Sequence, residues 1–128
     1  MESDVLVVDD SAAIRKILQR VLRQTGMAIR TIHEAGDGQE ALAVLGAQKI
    51  DLVLSDINMP KMDGLQLLAS IKATAQWKQI PVVMITTEGG ETKVSEAVKL
   101  GAAGYVRKPF TADQIKEKLT EFLEAILP

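Results

Sequence analysis

Five short hydrophobic runs follow one another along the chain, and a helical pattern comes after each of them. The runs occupy residues 5–8, 29–34, 51–56, 80–85 and 105–107. Short aliphatic runs are typical of strands buried on both faces, whereas the stronger alternation of polar and apolar residues in 29–34 indicates an edge strand. Five successive strand–helix units predict an α/β domain whose parallel sheet is covered by helices on both sides through right-handed crossovers.

Capping residues and apolar spacing predict where the helices lie. Ser11 is a good N-cap, and Asp63 with Gln66 and Thr111 with Gln114 each have the spacing of a capping box. The apolar stripes of three helices are predicted to face the sheet; they comprise Ile14, Ile17, Leu18, Val21 and Leu22, then Val94, Ala97 and Val98, and finally Ile115, Leu119, Phe122, Leu123 and Ile126. Glycines that favour a left-handed backbone are expected to end two of these helices, at Gly26 and Gly101.

Composition excludes several classes of protein. The 128 residues contain no cysteine, so disulfide bridges and thiolate metal sites are excluded and a cytoplasmic location is expected. Fifteen basic and seventeen acidic residues give no overall field that would attract nucleic acid. No apolar stretch approaches the ~20 residues of a membrane span. Without repeats or low-complexity tracts, residues 1–128 are predicted to be one domain with no output domain, and we expect a monomer.

Polar side chains stand at the carboxyl ends of four predicted strands. They are Asp9, Asp10, Asp56, Thr86 and Lys108. In parallel α/β sheets, ligands bind outside these strand ends, near the point where the strand order reverses. The sequence therefore predicts one site with three carboxylates, a hydroxyl and an ammonium group.

The chemistry of that site follows from its charges. Carboxylates on neighbouring strand ends repel one another, and a divalent cation relieves the repulsion. An all-oxygen site that retains water favours Mg²⁺ over Ca²⁺. With Lys108 and Thr86 added, the site can hold a phosphoryl group, and Asp56 can serve as the nucleophile.

The strand-end residues lie within four longer motifs. These are Val-Val-Asp9-Asp10-Ser, Leu-Ser-Asp56-Ile-Asn-Met-Pro-Lys-Met-Asp-Gly, Met-Ile-Thr86-Thr and Gly-Tyr105-Val-Arg-Lys108-Pro109-Phe. In order and spacing the motifs resemble those of receiver domains of two-component response regulators, and the resemblance covers nearly the whole chain. It implies a flavodoxin-like, doubly wound sheet of five parallel strands in the order 2-1-3-4-5, with five helices.

The resemblance also implies a role for each acidic residue. Asp56 would accept a phosphoryl group from the phosphohistidine of a histidine kinase. Asp10 and Asp56 would bind Mg²⁺ together with the carbonyl of Asn58, and Asp9 would support the ion. Apart from promoting its own phosphorylation and dephosphorylation, such a protein is a signalling switch and not an enzyme.

The remaining motif residues are implied to detect and transmit the phosphoryl group. Thr86 and Lys108 would contact its oxygens, and the Lys108–Pro109 peptide bond would be cis. Tyr105 would turn inward when Thr86 moves, which changes the face formed by helix 4, strand 5 and helix 5. That face would then bind a target protein.

Among receivers, the chain is most similar to the stand-alone, CheY-like chemotaxis type. Asn58, Glu88 and Tyr105 match that type, whereas Thr87 and Ile57 depart from common choices. The resemblance implies a flagellar-switch partner, with a phosphorelay intermediate or a phosphate sink as alternatives.

The residues at these positions also distinguish two other classes of function. An aspartate-nucleophile phosphatase is expected to have an acid two residues after the nucleophile, where this chain has Asn58. A flavin-binding module needs a hydroxyl- or glycine-rich phosphate loop after the first strand, where Asp9 and Asp10 would repel a phosphate.

Several further residues are expected to have ordinary roles. His33 is predicted to be solvated or packed, and Trp77 to cover the core. The basic residues of the first helix are expected to form a solvated face, which in receivers helps to dock the histidine kinase or its phosphotransfer domain; they are Arg15, Lys16, Arg20 and Arg23.

Overall fold

The computed structural model describes residues 2–86 and 91–122, and of Thr86, Glu91 and Thr92 it describes the backbone only. The elements in chain order are β1 (Ser3–Val8), α1 (Ala12–Gln24), β2 (Ile29–Ala35), α2 (Gly38–Ala47), β3 (Leu52–Asp56), α3 (Gly64–Ala73), β4 (Val82–Thr86), α4 (Glu91–Lys99), β5 (Gly104–Arg107) and α5 (Ala112–Leu119). The predicted alternation of strand and helix is confirmed. The expectations for Thr87, Glu88, Leu123 and Ile126 fall outside the described residues.

The five strands form one parallel sheet in the order β2-β1-β3-β4-β5. The chain moves from β1 to β2 on one side and then crosses to β3 on the other side of β1. This reversal places the topological switch point between β1 and β3, and β2 lies at an edge as predicted. The flavodoxin-like fold class is confirmed.

Side chains of each inner strand alternate between two hydrophobic cores. In β1, Leu6 and Val8 pack with the cluster beneath α2 and α3, whereas Val5 and Val7 pack with the cluster beneath α1 and α5. All four are fully buried. Trp77 packs against the first cluster, as predicted. The sheet is therefore the shared wall of two cores.

The predicted caps form. Ser11 accepts a hydrogen bond from the N–H of Ile14, and Asp63 and Thr111 each complete a capping box. Gly26 and Gly101 have positive φ values of 74° and 101°. Local side-chain chemistry thus sets these helix limits.

Two predictions of burial are wrong. Ile17 is 46% exposed and Val98 is 58% exposed, although both share a stripe with buried residues. In each helix only a narrow arc touches the sheet, and these residues lie beyond that arc.

Among the described residues, no helix is long and apolar enough to cross a membrane.

Candidate functional site

The carboxyl ends of β1, β3, β4 and β5 meet at one rim of the sheet. Asp9 and Asp10 follow β1, Asp56 ends β3, Thr86 ends β4 and Lys108 follows β5. Val8 is paired with Ser55, and Asp56 with Ile85, so the strand ends are in register. The structure therefore brings these strand ends together as the sequence predicted, although the side chain of Thr86 lies outside the description.

Three carboxylates form a tight cluster at this rim. Oxygen atoms of Asp9, Asp10 and Asp56 all lie within 4.8 Å of one another. Asp9 is buried at 1% exposure, Asp10 is exposed, and Asp56 is partly buried. Carboxylate oxygens in this arrangement fit a hard divalent cation, because such ions prefer oxygen ligands and offset the repulsion.

Lys108 lies against the acidic cluster. Its Nζ is 2.9 Å from Oδ2 of Asp9 and 3.7 Å from Oδ2 of Asp56, and its side chain is only 14% exposed. One ammonium group thus offsets part of the charge of three carboxylates. The Lys108–Pro109 peptide bond that follows is cis.

Asp56 binds a proton more readily than an ordinary aspartate. Burial is the main cause of its raised pKa; the attraction of Lys108 opposes the increase, and repulsion from Asp9 adds to it. The N–H of Ile57 donates to Oδ1 at 2.8 Å and favours the ionised form. Oδ2 of Asp56 faces Lys108, whose positive charge would attract a second anion to this side of the site.

Asp9 is fixed in place by the segment that follows it. Its Oδ1 accepts a hydrogen bond from the N–H of Ser11 at 2.9 Å, and its Oδ2 is paired with Lys108. Both carboxylate oxygens therefore have partners within the chain. Asp10, which is exposed beside it, is the more accessible carboxylate.

The prediction that the basic residues of α1 form a solvated face is wrong for Arg15, whose side chain is 19% exposed; Arg23 is exposed as predicted but also makes a hydrogen bond. Arg15 donates to the carbonyl of Asp9 at 2.6 Å and to Oε1 of Glu34 at 3.0 Å. Arg23 donates to the carbonyl of Ile29 at 2.9 Å. An arginine one turn into a helix can reach back to the end of the preceding strand. The six-residue spacing of Asp9 and Arg15 was therefore a sequence signal for this hydrogen bond.

The loop between β3 and α3, residues 57–63, borders the site. Asn58 is exposed, whereas Ile57 is fully buried and anchors the start of the loop. Lys61 has a φ of 64°, which is uncommon for a residue with a side chain. No simple sequence signal marks a lysine for this conformation.

Tyr105 lies on β5 with 41% of its surface exposed. Its backbone pairs with Met84 on β4, and Thr86 pairs with Arg107. The two positions that the sequence links as a switch are thus on adjacent strands. The outward position of Tyr105 leaves it free to contact another protein.

Fold and site together define a class of protein: a doubly wound α/β domain with an acidic, lysine-bearing site at its switch point. Residues 5–120 match the family described as "Response regulator receiver domain". The chain belongs to that family and is of its CheY-like type. Receiver domains are signalling proteins that interact with histidine kinases and downstream targets, and they are not conventional enzymes.

Individual relatives agree with this assignment. The chain is 41% identical to chemotaxis protein CheY-3 of Vibrio cholerae over 122 residues, which cover 95% of this chain and 92% of the relative. It is 38% identical to chemotaxis protein CheY of Pseudomonas aeruginosa, covering 95% and 97% of the two chains. The solved structure of chemotaxis protein CheY4 of Vibrio cholerae superposes with a TM-score of 0.86 at 34% identity, covering 96% and 100%.

Proposed function

We propose that the protein is a phosphorylation-activated switch in which Asp56 accepts a phosphoryl group from the phosphohistidine of a histidine kinase. The observation that carries this proposal is the carboxylate cluster of Asp9, Asp10 and Asp56, with Lys108 against two of its members. A purely structural ion pair would need one carboxylate for one ammonium group. Three carboxylates around one ammonium leave negative charge that favours a cation.

Asp10, Asp56 and the carbonyl of Asn58 are the proposed Mg²⁺ ligands, with Asp9 in support. The all-oxygen donor set, the exposure of Asp10 and the position of Asn58 on the bordering loop support this assignment. When bound, Mg²⁺ would supply positive charge that offsets the negative oxygens of the incoming phosphoryl group.

Phosphoryl transfer forms one bond and breaks one. A carboxylate oxygen of Asp56 attacks phosphorus, the P–N bond of the phosphohistidine breaks, and the imidazole leaves and takes up a proton. Because the attacking group must be ionised, the raised pKa of Asp56 makes Lys108 important: it favours the carboxylate over the carboxylic acid.

Lys108 and Thr86 are the proposed contacts of the phosphoryl oxygens. The ammonium of Lys108 already lies 3.7 Å from Asp56 and needs only a small movement to reach an oxygen attached there. A hydrogen bond from a hydroxyl to a charged oxygen is worth about 1.5–3 kcal/mol. That energy is sufficient to shift an equilibrium between two conformers that are nearly balanced.

The proposed output is the face formed by α4, β5 and α5. Movement of Thr86 toward the phosphoryl group would open space for Tyr105, which is exposed here, to turn inward. The similarity to chemotaxis proteins favours a role in chemotaxis, and we propose a flagellar-switch protein as the target. A phosphorelay intermediate or a phosphate sink is the alternative, and it would need no change on this face.

Intact-mass spectrometry after incubation with acetyl phosphate tests the acceptor. Wild-type protein with Mg²⁺ should gain one phosphoryl group, and EDTA should abolish the gain. Asp56→Asn should gain nothing, whereas Asp113→Asn, at an exposed aspartate on α5, should behave as wild type. Undiminished phosphorylation of Asp56→Asn would refute the assignment.

The output face is tested with a beryllofluoride phosphoryl mimic. Amide chemical shifts should change around Tyr105 as well as around Asp56, and Thr86→Ala should retain phosphorylation but lose most of the changes at Tyr105. Changes confined to the Asp56 region in wild-type protein would argue for the relay or sink alternative.

A further inference from the structure

The start of α2 packs directly against the loop of residues 57–63. Gly38, the first residue of α2, is buried, and its N–H donates to the carbonyl of Met62 at 3.1 Å. This bond satisfies one of the N–H groups that a helix start leaves without an intrahelical partner. The contact joins two segments that are 24 positions apart, and the second of them borders the acidic site.

Only glycine fits at this contact. A β-carbon on Gly38 would lie 2.5 Å from Cγ of Met62, 2.8 Å from its Cβ and 2.8 Å from its carbonyl oxygen. Two of these three atoms belong to the Met62 backbone or its first side-chain carbon. A rotamer change of Met62 therefore cannot remove the overlap, and either the loop or the helix start would have to move.

The other end of the loop is also held. The N–H of Gly64 donates to the carbonyl of Ile57 at 2.7 Å, and a β-carbon on Gly64 would overlap the carbonyl of Asp56 and Cα of Ile57. These contacts hold the α3 end of the loop against the end of β3, so a displacement of Met62 is restrained on that side. It would have to be absorbed in residues 58–61, which include Asn58.

The backbone between these contacts is in a sparsely populated conformation. Lys61 has a φ of 64°, and the N–H of Met62 donates to the carbonyl of Pro60 at 2.7 Å, which closes a three-residue turn. A residue with a side chain keeps such a conformation only where its surroundings hold it. The contact with Gly38 supplies one such restraint, and Lys61 Nζ lies 3.9 Å from Oδ2 of Asp37 beside it.

We infer that Gly38 is a positioning residue for the cation site, acting through Met62 and the turn at Lys61 on the carbonyl of Asn58. This inference rests on the proposed function, in which that carbonyl binds Mg²⁺. Groups that orient metal ligands typically change metal affinity by 10- to 100-fold when they are altered. A purely structural role for Gly38 would instead change stability and leave Mg²⁺ affinity of the folded protein unaltered.

Gly38→Ala tests the inference, with Gly46→Ala as its matched control. Gly46 lies in the same helix, is exposed, and has no atom within 4 Å of its β-carbon position. Calorimetric titration with MgCl₂ should give a Kd raised roughly tenfold for Gly38→Ala and unchanged within twofold for Gly46→Ala. With acetyl phosphate, the Mg²⁺ concentration at half-maximal rate should rise in parallel, while the rate at saturating Mg²⁺ changes much less.

A second measurement does not depend on the variant folding. Binding couplings are reciprocal, so Mg²⁺ added to the wild-type protein should shift the amide resonance of Gly38 and slow its hydrogen exchange, and Gly46 should not respond. Mg²⁺ binding by wild-type protein with no response at Gly38, or equal affinity in folded Gly38→Ala, would overturn this inference alone. Absence of Mg²⁺ binding by wild-type protein would overturn the proposed function together with it.

Discussion

Replacing Asp56 by asparagine should stabilise the unphosphorylated protein in the absence of Mg²⁺. At an effective dielectric constant of about 20, carboxylates at the 4.8 Å upper limit of their separation repel by roughly 3.5 kcal/mol, and an ammonium 3.7 Å away attracts by roughly 4.5 kcal/mol. The repulsion of the Asp56 carboxylate by Asp9 and its attraction by Lys108 therefore nearly cancel. The cost of partial burial and the repulsion from Asp10 remain, and both disfavour the charge of Asp56.

We expect Asp56→Asn to gain about 1–2 kcal/mol at pH 7, equivalent to a rise in Tm of roughly 3–8 °C. The amide oxygen can still accept the hydrogen bond from Ile57 that the carboxylate accepts at 2.8 Å. The new side chain has nearly the same volume, so no cavity offsets the gain.

The pH dependence of stability gives an independent check that Asp56→Asn is stabilising. Since folding raises the pKa of Asp56, the protonated acid is the form that folding favours, and that contribution is lost as pH rises through the folded-state pKa. The advantage of Asp56→Asn should therefore be largest at neutral pH and shrink on acidification toward pH 4.

Thermal unfolding in EDTA, followed by circular dichroism, is the assay, with Glu117→Gln as an exposed carboxylate control expected within about ±0.5 kcal/mol. Mg²⁺ at about 100 times its Kd should stabilise wild-type protein by about 2.7 kcal/mol and reverse the order of the two proteins. An asparagine variant that is less stable than wild type in EDTA at pH 7, or whose advantage grows on acidification, would refute the reasoning.

Three further predictions concern the scaffold. Leu68→Ala, in the fully buried face of α3, should cost about 2–5 kcal/mol in urea unfolding, and a loss below 1 kcal/mol would show that the core refills the space. Asp63→Ala removes the hydrogen bond that the Asp63 carboxylate accepts from the N–H of Gln66 and should cost about 1 kcal/mol by the same assay; no loss would show that water replaces the cap. Arg30→Met removes the ion pair that lowers the pKa of Asp4, so stability should fall at pH 7 and the loss should diminish below the usual pKa of 3.8; a constant loss between pH 7 and pH 2.5 would contradict this.

The fold was predictable because its main determinants are local. The N-caps at Ser11, Asp63 and Thr111 form as their side chains indicate, and all five strands lie within a few residues of their expected limits. A common rim for Asp9 and Asp56 followed from the parallel strands, whereas their direct proximity depends on the strand order, which only the resemblance to receiver domains implied.

What was not predictable depends on distances between remote segments. Periodicity identifies the side of a helix that faces the sheet but not the width of the contact, so Ile17 and Val98 were expected to be buried and are exposed. Likewise, the close packing of Gly38 on Met62 has no signature in either segment alone. The hydrogen bonds of Arg15 were missed because a basic helix face was interpreted as a uniform surface.

Because the side chains of β1 alternate between two cores, this strand cannot gain or lose a single residue without disturbing both. A deletion of one residue within 5–8 would exchange the sides of Leu6 and Val7 and also rotate Asp9 away from its partners. A length change at the opposite rim, such as between the exposed Gln48 and Lys49, lies outside both cores and away from the site. Insertions, affinity tags and spectroscopic labels should therefore be tolerated at the turn between α2 and β3, where a genetic screen for functional insertions would recover them.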